Sequence, residues 1–252
     1  MKINKTIIFL YNKNHAGQVG AVNDFISQQV GVDTVLVTEA DIYSLGFATP
    51  ATRMNNLIKR FKPVVVVATC EKLLAHAIKV RKRLGVDFKL VSFITDFSVF
   101  NQAMVAPAVD FYVVENAECE HDLLHYHNIL ERNILLAPPV LVSACKKTNL
   151  DNRGAIEDGY MLIEPVAEQV YKGLDLGVPL VVKPNFYNKN AEYLLRHNLA
   201  LDGTTKEKLT TAIDRALNDK GVITKAKNAG AILLDECGAE RVGTWLIKET
   251  TD

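Results

Sequence analysis

The chain has 252 residues, 48% of them apolar and 23% charged, an ordinary globular composition with material for one large domain or two small ones. Twenty-nine basic residues balance twenty-nine acidic ones, so no global field selects nucleic acid or an anionic membrane as a partner. Cys70, Cys119, Cys145 and Cys237 lie far apart without a CxxC pair, which reads as the reduced thiols of a cytoplasmic protein.

The opening MKINKTIIFLYNKN has too few apolar residues for a signal sequence and reads as a first strand. No apolar run approaches the roughly 18 to 20 residues that span a bilayer. Short apolar segments at 6–11, 34–38, 63–68, 89–94, 110–114 and 134–137 alternate with amphipathic stretches beginning near Gly17, Thr49, Glu71 and Glu118. That alternation predicts βα units and a parallel sheet, a Rossmann-like half over 1–142. Within it, Met54, Leu57, Ile58 and Phe61 form the apolar stripe of one helix. Core packing is the default for such a stripe, with peripheral membrane contact as the alternative. Leu73, Leu74, Ala77, Ile78, Arg81 and Leu84 share a face of the next helix.

Residues 143–159 are polar, contain two glycines and predict a linker. After it, strands are expected at 160–163 and 180–183 and helices at 166–176, 191–198, 205–218, 223–234 and 239–248. Thr204-Thr205-Lys206-Glu207 gives a capped start to one of these. Two legible strands make this second half, 160–252, a reduced Rossmann-like unit with a helical tail.

Three strand ends carry candidate chemistry, because open parallel sheets meet ligands at the carboxyl ends of their strands. The first strand runs into Asn12-Lys13-Asn14-His15, which places His15 for general-base work or an anion contact; lining a loop is the alternative. Ile94-Thr95-Asp96-Phe97 ends the fourth, where Asp96 would orient a hydroxyl or act as a base, or else cap a loop. His121, His125 and His127 lack any HExxH or cysteine spacing and read as an exposed face, with no metal site expected. The basic run Lys79, Arg81, Lys82, Arg83 reads as a solvated helix end, with a weak phosphate or membrane contact as the alternative. No GxGxxG follows a strand, which argues against a dinucleotide oxidoreductase, and no cofactor is expected.

The third strand end lies in MLIEPVAEQVYKGLDLGVPLVVKPNFYNKNA, Met161 through Ala191. Its order of strand, Pro165, helix, Gly177-Val178-Pro179, strand and Asn190-Ala191 resembles the donor half of GT-B glycosyltransferases. It is most similar to the diacylglycerol glucosyltransferase and monogalactosyldiacylglycerol synthase group, and more distantly to the peptidoglycan N-acetylglucosaminyltransferase. Thr95-Asp96 and Val109-Asp110 extend the resemblance into the first half, so that it spans 5–141 and 160–246. It implies a GT-B-like α/β fold of two Rossmann-like halves, the C-terminal one truncated, and hexosyl transfer from a UDP-sugar to a lipid or glycan acceptor. His15 and Asp96 would then serve the acceptor, and Pro165, Val166, Ala167, Lys172 and Asn190 the donor. The chain departs from the family where Gly-Gly becomes Val166-Ala167, where a helix Glu becomes Lys172, and where glycines before His15 become Lys13-Asn14. Side chains at a helix start obstruct the backbone's approach to a diphosphate. The departures favour a non-catalytic member that binds a protein partner, a second copy or a full-length glycosyltransferase.

Overall fold

The computed structural model describes residues 5–44, 48–95, 102–137, 156–157, 159–233 and 237–251, and they form two compact units. The first unit is built on six parallel strands, β1 (Lys5–Tyr11), β2 (Val32–Thr38), β3 (Val65–Ala68), β4 (Lys89–Ile94), β5 (Phe111–Val114) and β6 (Ile134–Leu136). Their order is β2-β1-β3-β4-β5-β6. The connecting helices are α1 (Ala16–Ser27), α2 (Glu39–Tyr43), α3 (Pro50–Phe61), α4 (Glu71–Leu84) and α5 (Ala117–His125).

Strand periodicity divides the core into two faces. Ile7 and Phe9 of β1 join Val65 and Val67 of β3 against Val19, Val22 and Ile26 of α1. Ile8 and Leu10 join Val66 and Ala68 against Met54 and Ile58 of α3 and Leu73, Leu74 and Ala77 of α4. All of these residues except Ile58 are completely buried, which explains why the strands read as continuous apolar runs. The stripe on α3 is core, with Leu57 and Phe61 packed against the same cluster.

In the basic run of α4, Lys79, Lys82 and Arg83 are exposed as expected, whereas Arg81 is not. Arg81 of α4 pairs with Asp110 and donates to the carbonyls of Phe88, at 3.0 Å, and Ala108. Asp110 also accepts the Leu90 amide at 2.7 Å. The guanidinium thus ties α4 to the strand entrances, a use of its planar fork that a surface lysine would not supply.

In the second unit β7 (Ile156–Glu157) pairs antiparallel with β8 (Tyr160–Ile163), and β8 pairs parallel with β9 (Leu180–Val182). Val181 also bridges Leu201 in parallel, so the sheet reaches beyond the two strands legible in the sequence. Strand β7 occupies the end of the expected linker, whose residues 143–155 and 158 lie outside the described ones. Helices α6 (Ala167–Asp175), α7 (Lys189–Arg196), α8 (Lys206–Asn218) and α9 (Lys220–Leu233) complete this unit.

The last helix, α10 (Gly238–Glu249), belongs to the first unit rather than to the expected C-terminal domain. Val242 and Leu246, four residues apart, are fully buried against the α1 face of the first sheet, and Lys89 pairs with Glu249 at 2.8 Å. An amphipathic helix goes where its apolar stripe finds a wall, and the α1 face provides one. Among the described residues no helix is long and apolar enough to cross a membrane.

Candidate functional site

Strand order determines where the first unit can bind a ligand. The chain leaves β1 for β2 on one side and returns to β3 on the other, so α1 and α4 cover opposite faces. A crevice therefore opens at the carboxyl ends of β1 and β3. Asn12, directly after β1, accepts the Asn14 amide at 2.9 Å and closes one turn of 3-10 helix over Lys13–His15. That turn delivers His15 to the start of α1 as its N-cap, with no side-chain bond capping the helix.

His15 Nδ1 lies 2.9 Å from Oγ1 of Thr69, the buried residue that follows β3. The contact joins both sides of the crevice. Burial lowers the His15 pKa to about 4, so the imidazole is neutral through the physiological range. Either partner can be the donor. If Thr69 donates, Nε2 carries the imidazole proton; if Nδ1 donates, Nε2 is a free acceptor. Beside this pair Cys70 forms the N-cap of α4, and burial raises its thiol to about 11, leaving it protonated.

An open cavity of ≈ 690 Å³ adjoins the loop, lined by Asn12, Lys13 and Asn14 and by Thr38, Glu39 and Tyr43 from the end of β2 and from α2. Glu39 is held by Lys72 at 3.2 Å, and the Tyr43 ring packs on that of His76 at 5.6 Å. Burial, followed by the Glu39 charge, raises the Tyr43 phenol. Neither Thr69 nor the Glu39–Lys72 pair carries a local signal; each requires the register of separate strands.

In the second unit the structure brings two donor-side candidates together. Asn190, buried in the first turn of α7, donates through Nδ2 to the Pro165 carbonyl at 3.1 Å. Asn188, not Asn190, is the N-cap of α7 and accepts the Ala191 amide at 2.9 Å. Val166 is the extended N-cap of α6 and makes no side-chain cap bond; Ala167 is the first helical residue. The Glu164 amide is taken by the Gln169 side chain at 2.8 Å, and the Glu164 carboxylate faces Lys183 at 3.5 Å. Lys172 is half-buried further along α6, without an ion-pair partner among the described residues. A cavity of ≈ 470 Å³ in this unit lies elsewhere, lined by Arg215, Asp219 and Lys225, and includes none of these residues.

Asp96 falls outside the described residues. The rings of His121 and His125 meet with centroids 4.3 Å apart and planes tilted by 45°, with His121 3.9 Å from Asp122. No three potential ligands cluster around a metal position among the described residues.

No family model and no curated protein sequence matches the chain. Among solved structures, an S. aureus MnaA–UDP co-structure matches with a TM-score of 0.61 at 12% identity, covering 98% of each chain. MurG of Acinetobacter baumannii matches with a TM-score of 0.61 at 11% identity, covering 97% of this chain and 99% of that one. The glycosyltransferase SnogD from Streptomyces nogalater gives 0.59 at 11%, covering 98% and 99%. The fold is GT-B-like. Identities this low speak to the fold alone, and the GT-B-like chain's chemistry rests on its own residues.

Proposed function

We propose that this GT-B-like protein binds a UDP-sugar and acts in hexosyl transfer to a lipid or glycan acceptor. The first unit is the acceptor side and the second the donor side. The observation that carries this reading is the His15–Thr69 pair at the carboxyl ends of β1 and β3, 2.9 Å apart and neutral at physiological pH. A neutral imidazole can accept a hydrogen bond from the attacking hydroxyl. That oxygen bonds to the anomeric carbon while the bond to the UDP oxygen breaks. At a pKa near 4 His15 is a weak base, so this reading assigns removal of the proton to Asp96, which lies outside the described residues. On the donor side, the starts of α6 and α7 near Pro165, Val166, Ala167 and Asn190 would face the diphosphate, with Lys172, in the last turn of α6 and without an ion-pair partner among the described residues, lining the donor further along. The UDP in the MnaA co-structure and the resemblance to lipid-glycosylating enzymes support the choice of donor and acceptor.

A second reading has its own observation. Asn190 is already engaged with the Pro165 carbonyl, and branched Val166 stands where the backbone would approach a diphosphate. This favours a non-catalytic subunit that supports a partner, such as a full-length glycosyltransferase. Calorimetric titration with UDP, UDP-glucose, UDP-galactose and UDP-N-acetylglucosamine separates the two. Micromolar binding, weakened about tenfold by Lys172→Ala, is the result expected of a donor site. Absence of binding at millimolar ligand would overturn the transferase reading and leave the subunit reading standing.

A further inference from the structure

The cavity of ≈ 470 Å³ in the second unit is lined by none of the residues assigned to the donor. It sits at the outer edge of the second sheet, where Leu201 bridges Val181, and reaches Pro179 and Leu180 at the amino end of β9. Leu195, in the last turn of α7, lines it; Asn190, in the first turn of the same helix, does not. Its volume is within the range of about 300–1,000 Å³ usual for small-molecule sites. The lining divides by polarity. Leu195, Leu199, Leu201, Val222 and Ala226 are half-buried and supply an aliphatic wall. Arg215 of α8 and Lys225 of α9 are exposed members of the same lining, and neither has an ion-pair partner among the described residues. Two carboxylates share the lining, and both are engaged elsewhere. Asp202 accepts from Lys208 at 2.7 Å and from the Thr204 hydroxyl at 2.6 Å. Asp219 accepts the amides of Gly221 at 2.9 Å and Val222 at 3.3 Å, which fixes the start of α9. An aliphatic wall beside two uncompensated cations is the complement of an oxyanion carried on an apolar body. Because the cations are exposed, such an anion keeps its head near water and avoids the desolvation cost of a buried ion pair.

We infer that this cavity is a second ligand site, separate from the donor candidates, for a small aliphatic carboxylate or phosphate monoester. Arg215 and Lys225 hold the anionic head, and the wall of leucines, Val222 and Ala226 takes the aliphatic body. The site stands on the lining of the second unit alone and holds whether or not the protein transfers sugars.

The test is calorimetric titration of the full chain with octanoate and with octyl phosphate. Acetate and inorganic phosphate probe the head alone, and octanol probes the body alone. At least one of the two amphiphiles should bind saturably, and each partial probe at least about tenfold more weakly than it, because head and body are both used. Tighter binding of octanoate assigns a carboxylate ligand, and tighter binding of octyl phosphate assigns a phosphate monoester. Arg215→Ala and Lys225→Ala should each weaken the amphiphile about tenfold, the loss of one charge-assisted bond, while melting close to the parent. Ala226→Phe should abolish binding by filling the wall. Hydrogen exchange with the bound amphiphile should gain protection at the end of α8 and the start of α9. Failure of both amphiphiles to bind would overturn the proposal, as would octanol binding as tightly as octanoate, or parental affinity in both cation variants. Titration in the presence of UDP separates this site from the donor reading. Unchanged amphiphile binding is the expected result, and displacement by UDP would place the probe among the donor residues and overturn the inference. Amphiphile binding in a chain that binds no UDP-sugar would defeat the transferase reading and leave this site in place.

Discussion

His15 joins burial, charge and position in one side chain, and its titration follows from the first of these. The imidazole has an ordinary pKa of 6.5 and a folded value of about 4, lowered by desolvation. Between those values the unfolded chain binds a proton that the native state refuses, so stability falls as pH drops from about 6.5 to about 4. Above pH 6.5 both states are neutral and the group contributes no slope. The full effect is about 3 kcal/mol. Urea unfolding of the parent should lose stability over that window, and His15→Gln should flatten the acid limb; equal slopes in the two proteins would contradict a half-buried, neutral His15. Asn190 has a different failure mode. Asn190→Ala leaves the Pro165 carbonyl without its 3.1 Å donor. The expected cost is about 1–3 kcal/mol of stability, measurable by denaturant midpoint.

At the scale of elements, two helical glycines make opposite predictions. A Cβ on Gly20 of α1 would meet nothing within 4 Å, so Gly20→Ala should stabilise by about 0.5–1 kcal/mol through helix propensity. A Cβ on Gly243 of α10 would fall 2.3 Å from Phe25 Cδ1 and 3.0 Å from Cε1, against a ring that is itself packed. Gly243→Ala should cost about 1–3 kcal/mol as overpacking. Thermal melts of the two variants moving in the same direction would refute this account of α1–α10 packing. The same elements show what a sequence conveys. The inner strands β1, β3, β4 and β5 were legible because burial on both faces produces continuous apolar runs, and the α4 stripe because its period is unbroken. Helix α2 was not: it is five residues long, and its signal is a capping box, Thr38 with Asp41, rather than a periodicity. Strand β7 was hidden in a polar segment because an antiparallel pair of two residues needs no apolar run. His15 could be placed at a strand end, whereas Thr69, 54 residues away, became its neighbour only through the β1–β3 register.

For the whole molecule, the placement of α10 matters most, because a helix at the C-terminal end of the sequence belongs to the unit formed by the N-terminal half. Its contacts are substantial: Val242 and Leu246 have no exposure, Trp245 meets Phe111 edge-on at 5.4 Å, and Lys5 reaches the Thr250 carbonyl. The first sheet's α1 face is therefore sealed only after the intervening second unit has been synthesised, which couples the folding of the first unit to the far end of the chain. Leu246→Ala would open a cavity in this face and should cost about 2–5 kcal/mol. The loss has a specific address. Val19, Val22 and Ile26 of α1 share the cluster with Leu246, whereas Ala212 and Ala216 of α8 belong to a separate one. Hydrogen exchange on Leu246→Ala should therefore show lost protection along α1 and β1, with α8 and β9 close to the parent. Trp245, the single tryptophan, reports the same face by fluorescence. If instead α8 and β9 lost protection while α1 kept it, α10 would be stabilising the second unit, and the division of the chain described above would be wrong.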